Sequence, residues 1–361
     1  MALNELGPEP ARPMSATATE VHTGPATDPL AWFATTPHTD ERWYWEVPED
    51  GTAWVGMGSA ATISTSGPGR FDEAAREADQ LLGGLRVTGP SDAPLPRLAA
   101  GFAFDDTAQS GPWAPFGDGR LVLPAVQVLR RGGHTWVIRI DGHDRPTPVV
   151  VAPDPADPVG VDAADWADEV SRSHYRHLVE LALEAIERGE LVKAVPCRSL
   201  RLDRRPDVAR LLATLRNTYP ACATLGVSIG ATSFVAATPE RLVAVTGDRL
   251  HTAALAGSAP RHADPAIDAA LGQGLLTSPK ERSEHAVVVD AIDRSLQRLG
   301  VVDRHPAEPT LLQLHGIQHL HTPIDAELPT GIGLFDVVGA LHPTPAVAGH
   351  PGGRSAELRS I

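Results

Sequence analysis

Residues 278–299 read SPKERSEHAVVVDAIDRSLQRL, the clearest helix in the chain. Ser278 is placed to cap it, Pro279 fits the first helical position, and Glu281 completes a capping box. Glu281, Glu284 and His285 stand at i, i+3 and i+4 and share one helix face. Val287, Val288 and Val289 follow at once, so the segment is at least partly buried. Upstream, Arg241–Val245 and Arg249–Ala254 flank Gly247-Asp248, a hairpin signal. Thr224–Ile229 and Phe234–Ala237 read as strands, and Asp207–Tyr219 as a helix. Leu191–Leu202 is predicted as a strand with Leu191, Lys193, Val195 and Cys197 on one face. Before it, Tyr175, Leu178, Val179, Ala182 and Ile186 recur at helical spacing, with Ser171 or Ser173 as cap and Gly189 as stop.

The first half is less regular. Strands are predicted at Thr52–Gly56, Ala60–Ser64, Leu98–Phe104, Leu121–Arg130 and Thr135–Asp141, with a helix over Phe71–Leu85. Residues 1–28 are rich in Pro, Ala, Thr and Gly without periodicity and are expected to be a disordered, mobile tail. Residues 151–168, VAPDPADPVGVDAADWAD, read as an acidic surface connection. The expected organisation is therefore a tail (1–28), an N-terminal part (29–165) and a second part (166–361). Strands and helices do not alternate strictly. This favours an α+β fold with mostly antiparallel sheet over a Rossmann arrangement.

Composition narrows the function classes. A formal charge of −14 over 361 residues argues against nucleic acid as the main partner, because phosphate binding needs clustered Lys and Arg. No apolar run approaches the roughly 18 residues that span a bilayer, so no membrane partner is expected. Two cysteines, Cys197 and Cys222, without metal-type spacing point to a reducing compartment, most simply the cytoplasm. Of the 31 basic residues, 29 are arginine; the two lysines are Lys193 and Lys280. Arg stays protonated in proteins, whereas a buried Lys can act as a base.

Six places carry candidate chemistry, most of them with a plain structural alternative. Lys193 lies on an apolar segment, where an amine is either functional or has its stem on the sheet and its tip in water. Glu240, in Thr238-Pro239-Glu240-Arg241, is an acid presented at a strand end or a surface partner of Arg241. Glu281 and Glu284 form a hard, oxygen-rich pair that suits Mg²⁺ better than Zn²⁺. Alternatively, Glu281 caps its helix and Glu284 pairs with Arg282 or Lys280. The small-residue turn at 255–261, LAGSAPR, has backbone N–H groups able to hold an anion. His319 and His342 sit in apolar settings, where a satisfied core histidine is the ordinary case.

Six segments in order extend this reading: LVKAVPCR (191–198), ATPERL (237–242), LAGSAPR (255–261), SPKERSEH (278–285), QHLHT (318–322) and LHPTPAVAGHP (341–351). On these the chain resembles the chorismate-utilising enzymes, and among them the isochorismate synthases of menaquinone and siderophore pathways. The resemblance implies the anthranilate synthase component I-like fold: layered, mostly antiparallel sheets with helices outside. It implies an isomerase (a hydroxymutase) acting on chorismate with Mg²⁺. Lys193 matches the general base and Glu240 the general acid. Glu284 matches a direct Mg²⁺ ligand with Glu281 near it. Gly257 and Ser258 match the backbone that holds a substrate carboxylate, and His319, Ala346 and Val347 match pocket-lining positions. The family's last strands, a carboxylate-binding Arg and a second metal-binding Glu have no counterpart among the 361 residues, so an incomplete catalytic region is expected. Salicylate synthase, or a non-catalytic remnant of the family, are the alternatives.

Overall fold

The computed structural model describes residues 14–22, 27–37, 40–106, 109–143, 169–202, 206–302 and 304–351. The first part contributes β1 (Ser15–Val21), α1 (Pro29–Thr35), β2 (Arg42–Val47), β3 (Thr52–Met57), β4 (Ala61–Thr65), α2 (Arg70–Gly83), β5 (Arg86–Thr88), β6 (Ala99–Phe102), β7 (Gly119–Leu123), β8 (Val126–Arg131) and β9 (His134–Ile140). Then follow α3 (Glu169–Glu187), α4 (Val208–Thr218), β10 (Ala223–Ile229), β11 (Thr232–Thr238), β12 (Ala244–Thr246), β13 (Arg249–Pro260), α5 (Pro265–Thr277), α6 (Pro279–Arg298), β14 (His305–Pro306), β15 (Thr310–Gln313), β16 (Ile317–Glu327), α7 (Leu334–Leu341) and α8 (Pro345–Ala348). The chain divides into two units. One holds Met1–Ala103, Thr107–Pro153 and Leu225–Val235; the other holds Phe104–Asp106, Asp154–Thr224 and Ala236–Ile361. The expected boundary stretch, 151–168, lies outside the described residues.

The first unit is built on an eight-stranded sheet in the order β11-β10-β2-β3-β8-β9-β1-β5, with a three-stranded sheet β4-β7-β6. Two expectations are corrected here. Ser15–Val21 is not part of a disordered tail: it pairs antiparallel with β9 and parallel with β5. Ala16 and Ala18 point into the core while Thr17 and Thr19 face out, and so small an apolar face leaves little signal in the sequence. The strand expected over Leu121–Arg130 is two strands in different sheets, because Pro124 between them has no N–H for a ladder. The hairpin of β10 and β11 also belongs to this unit although its residues come after 166. Trp43, Trp54, Ala99, Val122 and Leu129 form one of its buried clusters. Arg42 is also buried, its guanidinium over the Phe33 ring and donating to Phe33 O and Thr36 O, so closing the C-terminus of α1.

The second unit is centred on β13 and β16, a long antiparallel pair with β12, β14 and β15 alongside. The predicted hairpin is present: β12 pairs antiparallel with β13 through a turn in which Gly247 has φ 63°. Helix α6 lies against β13. Leu250, Ala254 and Ala256 of β13 pack with Val288, Ile292 and Leu296 of α6, Ile324 of β16, and Val337 and Leu341 of α7. Helix α4 begins at Asp207, whose carboxylate accepts from Arg210 N at 3.0 Å. Helix α3 stops as expected at Gly189, φ 73°. Its start differs: residues 169 and 170 are already helical, so Ser171 and Ser173 lie inside, and Ser171 Oγ accepts instead from Arg198 Nε at 3.0 Å.

The predicted strand over Leu191–Leu202 does not form. Only Lys193 makes a β-bridge, exchanging backbone hydrogen bonds with His350. Pro196 cannot donate, and no second neighbouring strand reaches this backbone among the described residues. These elements bear out an α+β architecture of mostly antiparallel sheets with outer helices. Among the described residues no helix is long and apolar enough to cross a membrane.

Leu296 is fully buried at the centre of the α6–β13 interface. Leu296→Ala is expected to cost about 2–5 kcal/mol of stability, from lost transfer free energy plus the cavity left behind. Val302→Ala, at a position 66% exposed, should stay within about 0.5 kcal/mol. Urea unfolding midpoints of the two variants check the difference.

Candidate active site

The N-terminus of α6 brings two carboxylates together. Ser278 caps the helix, its Oγ accepting from Glu281 N at 3.3 Å, and Pro279 takes the first helical position. The reciprocal half of the expected capping box is replaced by another contact: the Glu281 carboxylate accepts from Lys280 Nζ at 3.2 Å. Glu284 shares the same ammonium, at 3.4 Å. Both carboxylates hold Lys280 above the usual lysine range. Arg282 turns away, donating to Leu276 O and facing Glu308 at 3.9 Å. The helix N-terminus adds a favourable field for both acids.

His285, one residue after Glu284, leaves this group. It is 1% exposed and lies between α6 and the ladder of β13 and β16. The Ala256 carbonyl can only accept, so Nδ1–H donates to it at 3.1 Å, and Nε2 accepts from the Thr322 hydroxyl at 2.8 Å. Burial lowers its pKa, in keeping with this neutral ring. The helical spacing that places His285 beside Glu281 and Glu284 is right about the face and silent about the sheet against which that face packs.

Gly257 marks the other wall. The register of β13 against β16 shifts between Ala256 and Ser258, leaving Gly257 as a bulge with φ 79°. A Cβ added there would meet Glu281 Oε2 at 3.2 Å and Leu320 Cδ1 at 3.3 Å. Glycine therefore lets the backbone adopt the left-handed region and lets the Glu281 carboxylate lie against it. Ser258 and His319 are register partners, with Ser258 Oγ and His319 Nδ1 at 2.8 Å. Burial lowers the pKa of His319, opposed by its hydrogen bond to the Gly257 backbone. Instead of a core histidine, His319 is a half-buried ring tied to the bulge.

Lys193 and Glu240 complete the group. Glu240 follows β11 in a turn where its N–H donates to Thr238 Oγ1 at 3.1 Å. Burial raises its carboxyl pKa, and the charge that opposes this is Lys193. Burial lowers the Lys193 amine, opposed in order by Glu284, Glu240 and Glu281. Two half-buried groups thus have their pKa values moved toward each other, the acid up and the base down. Lys193, Glu240, Glu281, Glu284, Gly257, Ser258 and His319 all belong to the second unit.

Ala346 and Val347 differ in their surroundings. On α8, Ala346 packs on the core cluster of α6 and β13, while Val347 is 43% exposed. A cavity of about 520 Å³ lies elsewhere, between the C-terminal half of α6 and α7–α8, lined by Arg294, Arg298 and Thr344 among others. No three or more His, Cys, Asp and Glu side chains gather into a metal-binding group among the described residues. The donor set for a cation is the carboxylate pair. It suits Mg²⁺, which binds through one or two carboxylates and keeps its other positions for water and ligand oxygens. That Lys280 already bridges the two acids shows that they converge on one cation position.

Comparison with known proteins gives consistent matches. The profile of a family described as "chorismate binding enzyme" matches residues 9–145 and 151–358. A salicylate biosynthesis isochorismate synthase of Pseudomonas aeruginosa is 33% identical over 338 residues, covering 88% of this chain and 69% of the relative. Among solved structures, the menaquinone-specific isochorismate synthase of Escherichia coli superposes with TM-score 0.76 at 23% identity, over 96% of this chain and 78% of that one. Anthranilate synthase component I from Streptococcus pneumoniae superposes with TM-score 0.51 at 16% identity, over 92% and 69%. Both structures share the fold.

The bulge gives a sharp expectation. Gly257→Ala should fold but lose roughly 1–2 kcal/mol, the cost of a Cβ in the left-handed region. A urea midpoint equal to that of the unmodified chain would show that the bulge relaxes without strain.

Proposed function

The chain belongs to the chorismate binding enzyme family, and from that premise we propose that it is an isochorismate synthase. It would convert chorismate to isochorismate by adding water at C2 and expelling the C4 hydroxyl. The observation that carries this reading is the opposed pair Lys193 and Glu240, a buried-leaning amine held low and a buried-leaning carboxyl held high. The reaction needs a base and an acid at once, because the attacking water must lose a proton and the departing hydroxyl must gain one. Neutral Lys193 takes the proton from water as its oxygen bonds to C2. Protonated Glu240 donates to the C4 oxygen, which leaves as water while the ring double bonds shift. One water enters and one leaves, so the step is an isomerisation. Proton return from Lys193 to Glu240 through solvent resets the pair.

The remaining residues bind and orient. Backbone N–H groups at Gly257 and Ser258 hold a substrate carboxylate, with His319 fixing Ser258. Ala346 supports the wall through the core it packs on, and Val347 on its exposed side contacts substrate. Glu284, with Glu281 beside it, would hold Mg²⁺, which when bound supplies positive charge for the ring carboxylate in a protein of net charge −14. On this reading the catalytic region is residues 166–361. The relatives' names support the isochorismate product; the resemblance, in which Lys193 matches the general base, supports water as the nucleophile.

Product analysis tests the proposal. The purified chain, incubated with chorismate and Mg²⁺ and resolved by chromatography with mass detection, should yield isochorismate. Salicylate with pyruvate would replace the product named here, and unchanged chorismate from folded protein would overturn it. Lys193→Ala should lower kcat by about 10²–10⁴-fold. Lys193→Arg should not rescue it, because a guanidinium does not deprotonate.

The pKa directions set the pH profile. On the acid side, kcat/KM should rise as Lys193 loses its proton, at a pH below the ordinary lysine range. It should fall as Glu240 loses its proton, at a pH above the ordinary carboxylate range. In Glu240→Gln the alkaline limb should disappear from the residual activity. An unchanged alkaline limb in that variant would assign it to another group.

A further inference from the structure

Of the two lysines among 31 basic residues, Lys280 contacts both Glu281 and Glu284, and Lys193 feels the charge of the same two carboxylates. The proposed reaction accounts for Lys193 but gives Lys280 no task. Lys280 is 75% exposed, so a plain surface cation would serve there, and this chain otherwise makes its surface cations of arginine. The two side chains differ in how they hold acids. A guanidinium presents a planar fork that clamps carboxylates bidentately, whereas an ammonium is a hydrated point charge on a flexible stem. The contacts at 3.2 and 3.4 Å are longer than the 2.7–2.9 Å of a tight charge-assisted bond and are open to water. Such a bridge holds two acids together without committing them.

We propose that Lys280 is a displaceable counter-ion. Its ammonium keeps Glu281 and Glu284 side by side while no metal is bound, and it moves out to solvent when a divalent cation takes its place. Without it, two carboxylates one helical turn apart repel and splay. Glu281 has little freedom to do otherwise on one side, because the Gly257 bulge lies against its carboxylate. An arginine at the same position would block the site instead of guarding it. The inference rests on the reading of Glu281 and Glu284 as the Mg²⁺ ligands.

Mn²⁺ titration of the full 361-residue chain, followed by loss of the free-ion electron paramagnetic resonance signal, tests this. Unmodified chain, Lys280→Gln, Lys280→Arg and Glu284→Gln are compared, with circular dichroism to confirm folding. Binding that disappears in Glu284→Gln is binding at this site. Lys280→Gln should bind Mn²⁺ about three- to tenfold more tightly, the range expected for removing exposed ion pairs. Lys280→Arg should bind it more weakly by a similar factor. Equal affinity in all three forms at position 280, or weaker binding in Lys280→Gln, overturns the counter-ion role and leaves the metal reading standing. No Glu284-dependent binding in any form overturns the metal reading and this inference with it.

Discussion

The buried imidazole of His285 joins the parts on which the site depends. It donates to Ala256 O on β13 and accepts from Thr322 Oγ1 on β16, so one neutral ring spans helix and sheet. Both hydrogen bonds are made away from water, where leaving either partner unmet costs about 1–3 kcal/mol. The ring follows Glu284 directly and lies one turn from Glu281. The Ala256 carbonyl it grips precedes the Gly257 bulge. The spacing between the two carboxylates and the Gly257 bulge is therefore set by a residue that belongs to neither.

Around that anchor the electrostatics are arranged by burial. Lys193 and Glu240 would form an ordinary ion pair in water. Desolvation disfavours both charged forms, raising the acid and lowering the amine. The field of Glu281 and Glu284 works in the other direction on Lys193. A cation between those acids reduces that opposing field, so the state of the carboxylate pair and the basicity of Lys193 are coupled. The exposed ammonium of Lys280 and the half-buried amine of Lys193 thus act on one electrostatic balance from two sides.

Much of this was legible in the residues. Capping by Ser278, the Gly247 hairpin, the stop at Gly189 and the helix from Asp207 are set by interactions within a few positions, and the structure shows each of them. Two of the errors share one cause. Ser15–Val21 is a strand because β9 and β5 flank it, and Leu191–Leu202 is not one because its backbone finds a single bridge at Lys193. Strand formation depends on a partner far away in the chain, and a local pattern carries no record of whether that partner arrives. Ser171 fails as a cap because the helix has already begun at residue 169, and its hydroxyl meets Arg198 instead.

By itself, the sequence singled out the candidate side chains. Two lysines among 29 arginines, an acid after Pro239, two glutamates one turn apart and a glycine followed by Ser258 are facts of residue type and spacing. The tertiary structure decided what surrounds them. It sent His285 into the core, put Glu281 against Gly257, parted Ala346 from Val347 and placed one ammonium between two carboxylates. Spacing along a helix or strand fixes only a direction, whereas burial and pairing, which set charge state, depend on elements that meet across long stretches of chain.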